Sequence, residues 1–440
     1  MTAAAYPLLP VIGAELEVPL VSGSSSRYVN LDYAASAPAL SVVAEHVTEL
    51  LPLYASVHRG AGYASQVSTS VYESARSIVG DFVSARDGDV VVFTRNTTDA
   101  LGLLASAVPG ETVLLDIEHH ANLLPWQASS ARIVLSADTI AETLERLDAE
   151  LARRPAALVT ITGASNVTGE ILPIRKLATI AHRRGARLAV DGAQLVPHRR
   201  VDLLRDGVDY LAFSGHKVYA PFGAGVLVGR ADWLDAAPPY LQGGGAVSEV
   251  TLSGAAWHPA PARHEGGSPN VIGVAALARA VSELARLDAA EWAAHDRALR
   301  DRLITGLEAL PRVHAHRIFS DSDDAVGLVS FSIEGVDARL VATYLSAEHG
   351  IGVRDGRFCA HPLLAKLRID GPALRASFGV GSTDADVDAL LGALTAYLSA
   401  GPAWRYELVD GRWAPVDDAR PRPDWAPVLD GSAVRFGCVA

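Results

Sequence analysis

The stretch from Leu188 to Lys217, LAVDGAQLVPHRRVDLLRDGVDYLAFSGHK, limits what this chain can fold into more than any other. An apolar run, Leu188-Ala189-Val190, stops at Asp191. A helix-like piece follows, and a second run from Tyr210 to Phe213 stops at Ser214-Gly215-His216-Lys217. Short runs that are apolar at every position are the mark of buried parallel strands, covered by helices on both faces. Two such strands joined by a crossover bring their carboxyl ends to one rim, and that rim is where open α/β sheets bind ligands. The expectation is therefore an α/β fold with Asp191 and Lys217 on a shared rim. A carboxylate and an amine so placed suit pyridoxal 5'-phosphate. The lysine holds the aldehyde, and the carboxylate keeps the ring nitrogen protonated so that the ring accepts electrons. From these residues alone, a surface Asp and a surface Lys at strand ends remain the alternative.

With 440 residues the chain can build a large core, and two structural domains are expected. Hydrophobic residues at 49% and charged residues at 20% are ordinary for a soluble globular protein. The net charge of −12 and the lack of any basic run beyond pairs such as Arg183-Arg184 and Arg199-Arg200 argue against nucleic acid or an anionic membrane as the main partner. No apolar stretch of about 18 residues marks a membrane span, and the N-terminus lacks a secretory pattern. Two cysteines, Cys359 and Cys438, make neither a disulfide framework nor a metal-type cluster. A cytoplasmic protein is expected.

Along the chain, a helix is expected from about Ser41 to Tyr54. The glycine-rich loop His58-Arg59-Gly60-Ala61-Gly62 carries two potential cations, and a helix follows from about Ser68 to Asp81. Val90 to Phe93 reads as a strand, and Thr94-Arg95-Asn96-Thr97-Thr98-Asp99 leads into a helix from Ala100 to Ala107. Hydroxyls and free N–H groups at a helix start can seat a phosphate, or can simply cap the helix. The strand Thr112 to Asp116 ends at Glu118-His119-His120-Ala121-Asn122. Adjacent histidines point apart and no third ligand is near, so no metal site is expected. An imidazole at this rim could stack on a flat ring, or be an ordinary loop residue. Arg132 to Leu135 and Ala157 to Thr162 are further strands around a helix from Thr139 to Arg153. Asn166-Val167-Thr168-Gly169 is a turn whose amide could donate to a ring hydroxyl or hold the turn. A helix from Ile174 to Arg184 ends at Gly185.

Beyond Lys217, a turn at Pro221 to Gly225 leads into Val226 to Gly229, an antiparallel addition to the sheet. Gln242 to Gly245 and His264 to Asn270 read as loops, and one long helical tract from Val271 to Leu310 as the link to a smaller domain. That domain has strands at Gly327 to Ile333 and Leu374 to Phe378, and helices at Asp337 to Glu348 and Asp384 to Ser399. Between them, the loop Gly350 to Pro362 carries Cys359. Beside glycines and arginines its thiol could be a low-pKa nucleophile, or it could be a small buried hydrophobe. Residues 401 to 440 read as an extended tail. The expected division is 1–55, a segment joining the small domain; 56–290, the large domain; 291–400, the small domain; and 401–440, an extension.

Four motifs in this order, EHHAN (Glu118 to Asn122), DGAQ (Asp191 to Gln194), SGHK (Ser214 to Lys217) and RDGRFCA (Arg354 to Ala360), resemble the class V aminotransferase-like enzymes, and among them the group II cysteine desulfurases and selenocysteine lyases. The resemblance covers about residues 28 to 400. It implies a pyridoxal phosphate-dependent transferase fold of type I, with a mostly parallel mixed sheet in the large domain and a smaller α+β domain, assembled as a homodimer. It also implies that Lys217 holds the cofactor, His119 stacks on its ring, Asp191 pairs with the pyridinium and Gln194 with the phenolic oxygen. Thr97, Thr98, Ser214 and His216 would hold the phosphate, with Ser268 reaching it from the partner subunit. Asn166 and Arg375 would bind the carboxylate of an amino-acid substrate, with His58 and Arg354 completing that set. Lys217 would then move the α-proton, and Cys359 would take sulfur as a persulfide, release alanine and pass the sulfur to an acceptor protein. A selenocysteine lyase would expel selenium from the same frame. Other outcomes of that frame are C–S β-elimination, epimerisation and transamination, in which Cys359 is dispensable. The chain departs from the group pattern at Arg357-Phe358, where histidines are expected, at His361, where Gln is expected, and at Ala220 to Gly223.

Overall fold

A computed structural model describes residues 6–128 and 130–426; Cys438 and the end of the expected tail lie outside them. The large domain is built on a seven-stranded sheet. Its spatial order is Asp89–Thr94, Gly225–Arg230, Tyr210–Ser214, Arg187–Asp191, Leu158–Thr162, Thr112–Leu115 and Ala131–Val134. The last five run parallel. Gly225–Arg230 is antiparallel to both its neighbours, the antiparallel addition expected after Lys217. The remaining six strands therefore point the same way, and Thr94, Leu115, Val134, Thr162, Asp191 and Ser214 end on one rim.

Alternation along the strands fills both faces. Phe93, Leu115, Ile161, Val190 and Phe213 enter one apolar cluster, and Val92, Leu114, Leu158, Ala189 and Ala212 enter the other. With no solvent-facing side, such strands read as continuous apolar runs. Gly225 is required by close approach: a Cβ there would lie 2.5 Å from the Asn96 backbone. The antiparallel strand can thus start directly against the loop that leads into the helix Thr97–Ala107.

The small domain is an antiparallel sheet in the order Val313–Ala315, Leu328–Ile333, Ala373–Ser377, Arg354–Gly356, covered by the helices Ala338–His349 and Asp384–Ala400. Phe331, Leu345, Leu374, Leu390 and Leu394 form its core.

Four expectations change. The tract from Val271 to Leu310 is two helices, Val271–Leu284 and Ala289–Glu308. Asp288, extended and accepting from the N–H groups of Ala290 and Glu291, caps the second and enforces the break. The second of these helices serves both domains: Trp292 is in the large core, and Leu299, Leu303 and Leu307 are in the small one. The N-terminal segment is divided rather than given wholly to the small domain. Val29 and Leu31 enter the small core, and Val29–Asn30 pairs with Ile351–Gly352. Tyr33, Leu40, Val43 and Val47 pack into the large core. The helix expected from Ser68 begins at Tyr63, because Ser65 and Ser68 are turned inward to bond the carbonyls of Ser56 and Leu53. Residues 401 to 426 are more than an extended tail. Tyr406–Val409 and Arg412–Pro415 form a hairpin, docked where the Glu348 carboxylate accepts from Ala403 N, Trp404 N and the Tyr406 hydroxyl, and where Trp413 Nε1 donates to Asp337. A second hairpin, Val247–Thr251 with Gly254–Trp257, stands exposed between the loops expected at Gln242 to Gly245 and His264 to Asn270. Among the described residues, no helix is long and apolar enough to cross a membrane.

Candidate active site

The strand ends converge on a cavity of about 350 Å³ between the rim and the small domain, within the range of small-molecule sites. It is lined by Thr97, Thr98, His119, Asn166, Asp191, Gln194, Ser214, His216, Lys217, Arg354, Cys359 and Arg375. These are the expected site residues except two.

At one end lies the start of the helix Thr97–Ala107. Asn96 caps it, its side-chain oxygen accepting from Asp99 N at 3.0 Å. Ser214 Oγ accepts from Thr97 N at 2.7 Å and lies 2.6 Å from the Thr97 hydroxyl. Hydroxyls and the positive end of a helix favour an anion. Burial and the nearby Lys217 charge push the His216 pKa down to about 4, so its ring joins this end as a neutral group.

In the middle, the His119 Nδ1 accepts from Ala121 N at 3.0 Å. Burial first, then the Lys217 charge, pushes its pKa down to about 3, which leaves a neutral flat ring facing the cavity. Asp191 is buried and accepts from Ala193 N at 3.0 Å. Burial holds its carboxyl above the ordinary range, against the pull of Lys217. A buried carboxylate of this kind calls for a cationic partner, which a protonated ring nitrogen supplies. Gln194 is anchored by its Nε2, donating to Ala34 O at 2.7 Å. Lys217 is pushed down to about 8 by burial, with Asp191 opposing and Arg375 adding to the shift. An amine near 8 is far better prepared to attack an aldehyde at neutral pH than an ordinary lysine. The residues present therefore fit pyridoxal phosphate at every part of the molecule: anion seat, stacking face, acid beside the ring and amine.

At the other end, the register of the small sheet sets Arg354 directly opposite Arg375. Like charges across a strand pair repel, and a bound carboxylate relieves them. Arg375 is buried. Its Nη1 donates to Asn166 O at 2.8 Å, its Nη2 contacts Asp32 at 3.3 Å, and its Nε has no partner among the described residues. Burial pulls its pKa below the ordinary value. The Asn166 side chain is engaged with the chain itself, Nδ2 donating to Phe358 O at 2.7 Å. Cys359 follows, its φ of +53° in the left-handed region.

The cavity does not bring in His58 or Ser268. His58 pairs with Glu73 at 3.1 Å, and Ser268 is on an exposed loop. They share one surface, because Arg59 Nη2 donates to the carbonyls of Gly244 and Gly267. Sequence reading missed Ala34, Asn96 and Phe358, which also line the cavity. Asn96 had a signal, as the cap position before Thr97, and Phe358 another, inside the motif that carries Cys359; Ala34 had none. The described residues hold no group of three His, Cys, Asp or Glu side chains suited to a metal.

The aminotransferase class-V family model matches residues 29–390. The chain is 36% identical to a probable cysteine desulfurase of Halalkalibacterium halodurans over 87% of this chain and 94% of that one. It is 37% identical to the cysteine desulfurase CsdA of Escherichia coli, over 83% and 93%. The crystal structure of CsdA in its S-sulfonic acid form superposes with a TM-score of 0.75 at 35% identity, covering 84% and 94%. The apo cysteine desulfurase of Thermococcus onnurineus gives 0.78 at 32%, with the same coverage. The fold, the rim and these matches together make the chain a member of the class V aminotransferase family of pyridoxal phosphate enzymes, in its cysteine desulfurase group and with its type I fold.

Proposed function

We propose that this protein is a pyridoxal phosphate-dependent cysteine desulfurase, converting L-cysteine to L-alanine and retaining the sulfur as a persulfide on Cys359. The observation that carries the proposal is that Lys217 and Cys359 line one cavity together with Arg354 and Arg375, which face each other in strand register. When bound, the cofactor supplies an electron sink conjugated to the substrate nitrogen. Thr97, Thr98, Ser214 and His216 hold its phosphate, and Asp191, His119 and Gln194 hold its ring. Arg375, assisted by Arg354, binds the substrate carboxylate and so orients the α-carbon toward Lys217. The Lys217 amine takes the α-proton and serves as general base. Cys359 attacks the substrate sulfur as a thiolate. An S–S bond forms, the substrate Cβ–S bond breaks with its electron pair left on carbon, and protonation of that carbon completes alanine. Selenocysteine fits the same steps, with selenium in place of sulfur.

Elimination, epimerisation and transamination need no thiol, and the seat of Cys359 in the cavity disfavours them. We further propose a homodimer in which the surface carrying His58 and Ser268 meets the partner's cavity, Ser268 reaching its phosphate end and His58 its substrate end. The sulfur then passes to an acceptor protein. A cytoplasmic location accords with two cysteines in 440 residues. The test is turnover of L-cysteine by wild type and Cys359→Ala, with alanine, sulfide and pyruvate recorded. Alanine from wild type only is expected. Pyruvate and ammonia from both proteins would replace the proposal with a β-eliminating lyase.

A further inference from the structure

The turn that carries Cys359 is held in a costly backbone conformation. Phe358 and Cys359 both have φ of +53°, and neither is a glycine. Such a conformation persists only where surrounding contacts over-determine it. Three hydrogen bonds from the large domain supply them. Asn166 Nδ2 donates to Phe358 O at 2.7 Å. His120 N donates to Cys359 O at 2.9 Å. His361 N approaches His120 Nε2 at 3.4 Å. The rings of His120 and His361 also meet edge to face, with centroids 4.7 Å apart.

His120 therefore brackets Ala360, the residue after the cysteine, its backbone N–H donating to the Cys359 carbonyl and its ring nitrogen accepting from the His361 N–H. Its neighbour His119 faces the cavity. One dipeptide thus serves two elements, the cofactor seat and the thiol. A backbone N–H can only donate, so the His120 ring must accept at Nε2 and carry its proton on Nδ1. Burial and the adjacent His361 hold the His120 pKa below its ordinary value, which keeps that acceptor available at neutral pH.

We propose that His120, with His361 as its counterpart, is a positioning residue that holds the Cys359 turn against the large domain and aims the thiol into the cavity. The proposal rests on the desulfurase reading for its catalytic consequence but not for the clamp itself. A displaced thiol leaves cofactor and substrate binding intact and slows only the sulfur step, and a misplacement near 1 Å costs up to about 10²-fold.

The test uses holoenzyme of wild type, His120→Ala, His120→Gln and His361→Ala. Its readouts are cofactor absorbance, kcat and KM for alanine formation from L-cysteine, and site-resolved alkylation of Cys359 by iodoacetamide without substrate. His120→Ala is expected to keep the cofactor absorbance, lose at least tenfold in kcat with KM changed less than threefold, and alkylate several-fold faster. His120→Gln, whose amide oxygen can accept from His361 N, should recover most of both losses. His361→Ala keeps that backbone donor and should move the readouts the same way by less. Wild-type alkylation in His120→Ala, no rescue by Gln, or loss of cofactor in all three variants would each overturn the clamp. If wild type makes no alanine, the desulfurase reading fails, and the alkylation rates still decide the clamp.

Discussion

Lys217 and Cys359 face the same cavity, but they are held there in opposite ways. Lys217 stands three residues beyond Ser214, the end of a fully buried parallel strand, and its position follows from the sheet. Cys359 stands three residues beyond Gly356, the end of a half-buried edge strand, in a turn with two left-handed residues pinned by Asn166 and His120 of the other domain. The first is held by the strand it follows, and the second by hydrogen bonds from Asn166 and His120 together with Phe358 and Ala360, buried in the large core on either side of it. A reactive group on the sheet rim is placed by the strand it directly follows. One held by contacts of the second kind is sensitive to residues far from it in sequence.

The largest effect that sharpens this contrast is expected for Lys217→Ala. It should remove the visible absorbance of the bound cofactor and lower turnover by about 10⁴-fold, whereas Cys359→Ala should lose alanine formation while the absorbance stays. If both variants lost the cofactor, the two groups would not be separable. Next comes Arg375→Lys, which keeps the buried charge but loses the guanidinium fork. A decrease in kcat/KM for cysteine equivalent to about 1.5–3 kcal/mol, one charge-assisted hydrogen bond, is expected. An unchanged value would move the carboxylate site elsewhere.

A smaller effect is read in pH. With its pKa near 8 rather than the ordinary 10.5, Lys217 is charged below pH 8 and neutral above it, and only the neutral amine attacks an aldehyde. Cofactor capture by the apo protein should therefore quicken as pH rises, reach half its maximum near 8 and level off. His119, near 3, and His216, near 4, stay neutral over this range. A rate still climbing at pH 10 would show an ordinary, solvated lysine. The smallest effect is expected for Glu348→Gln, which weakens three hydrogen bonds to the C-terminal hairpin. Stability should fall by about 1 kcal/mol, seen as a lower Tm, with kcat unchanged. A loss of kcat would tie the hairpin to the cysteine side of the cavity.

The rim was readable in the sequence because each of its motifs is local. An apolar run of four or five residues followed by polar ones states both the strand and its functional end, as at Asp191 and Ser214. The cysteine side was readable only as a motif. Arg354 meets Arg375 through strand register, and His120 meets His361 across 241 residues; no spacing in the chain announces either. The hairpin Tyr406–Pro415 was hidden because its first strand is largely exposed and both strands lack the apolar alternation that marks a half-buried strand. The break at Asp288 was hidden for the opposite reason, since apolar residues continue on both sides of it.

The helix Ala289–Glu308 carries one further consequence. Its first turn is locked in the core of the large domain by Trp292, and its second half in the core of the small domain by Leu299, Leu303 and Leu307. Neither core can melt without stripping the other of part of its own wall. Calorimetry of a single subunit would then record one cooperative transition for two lobes.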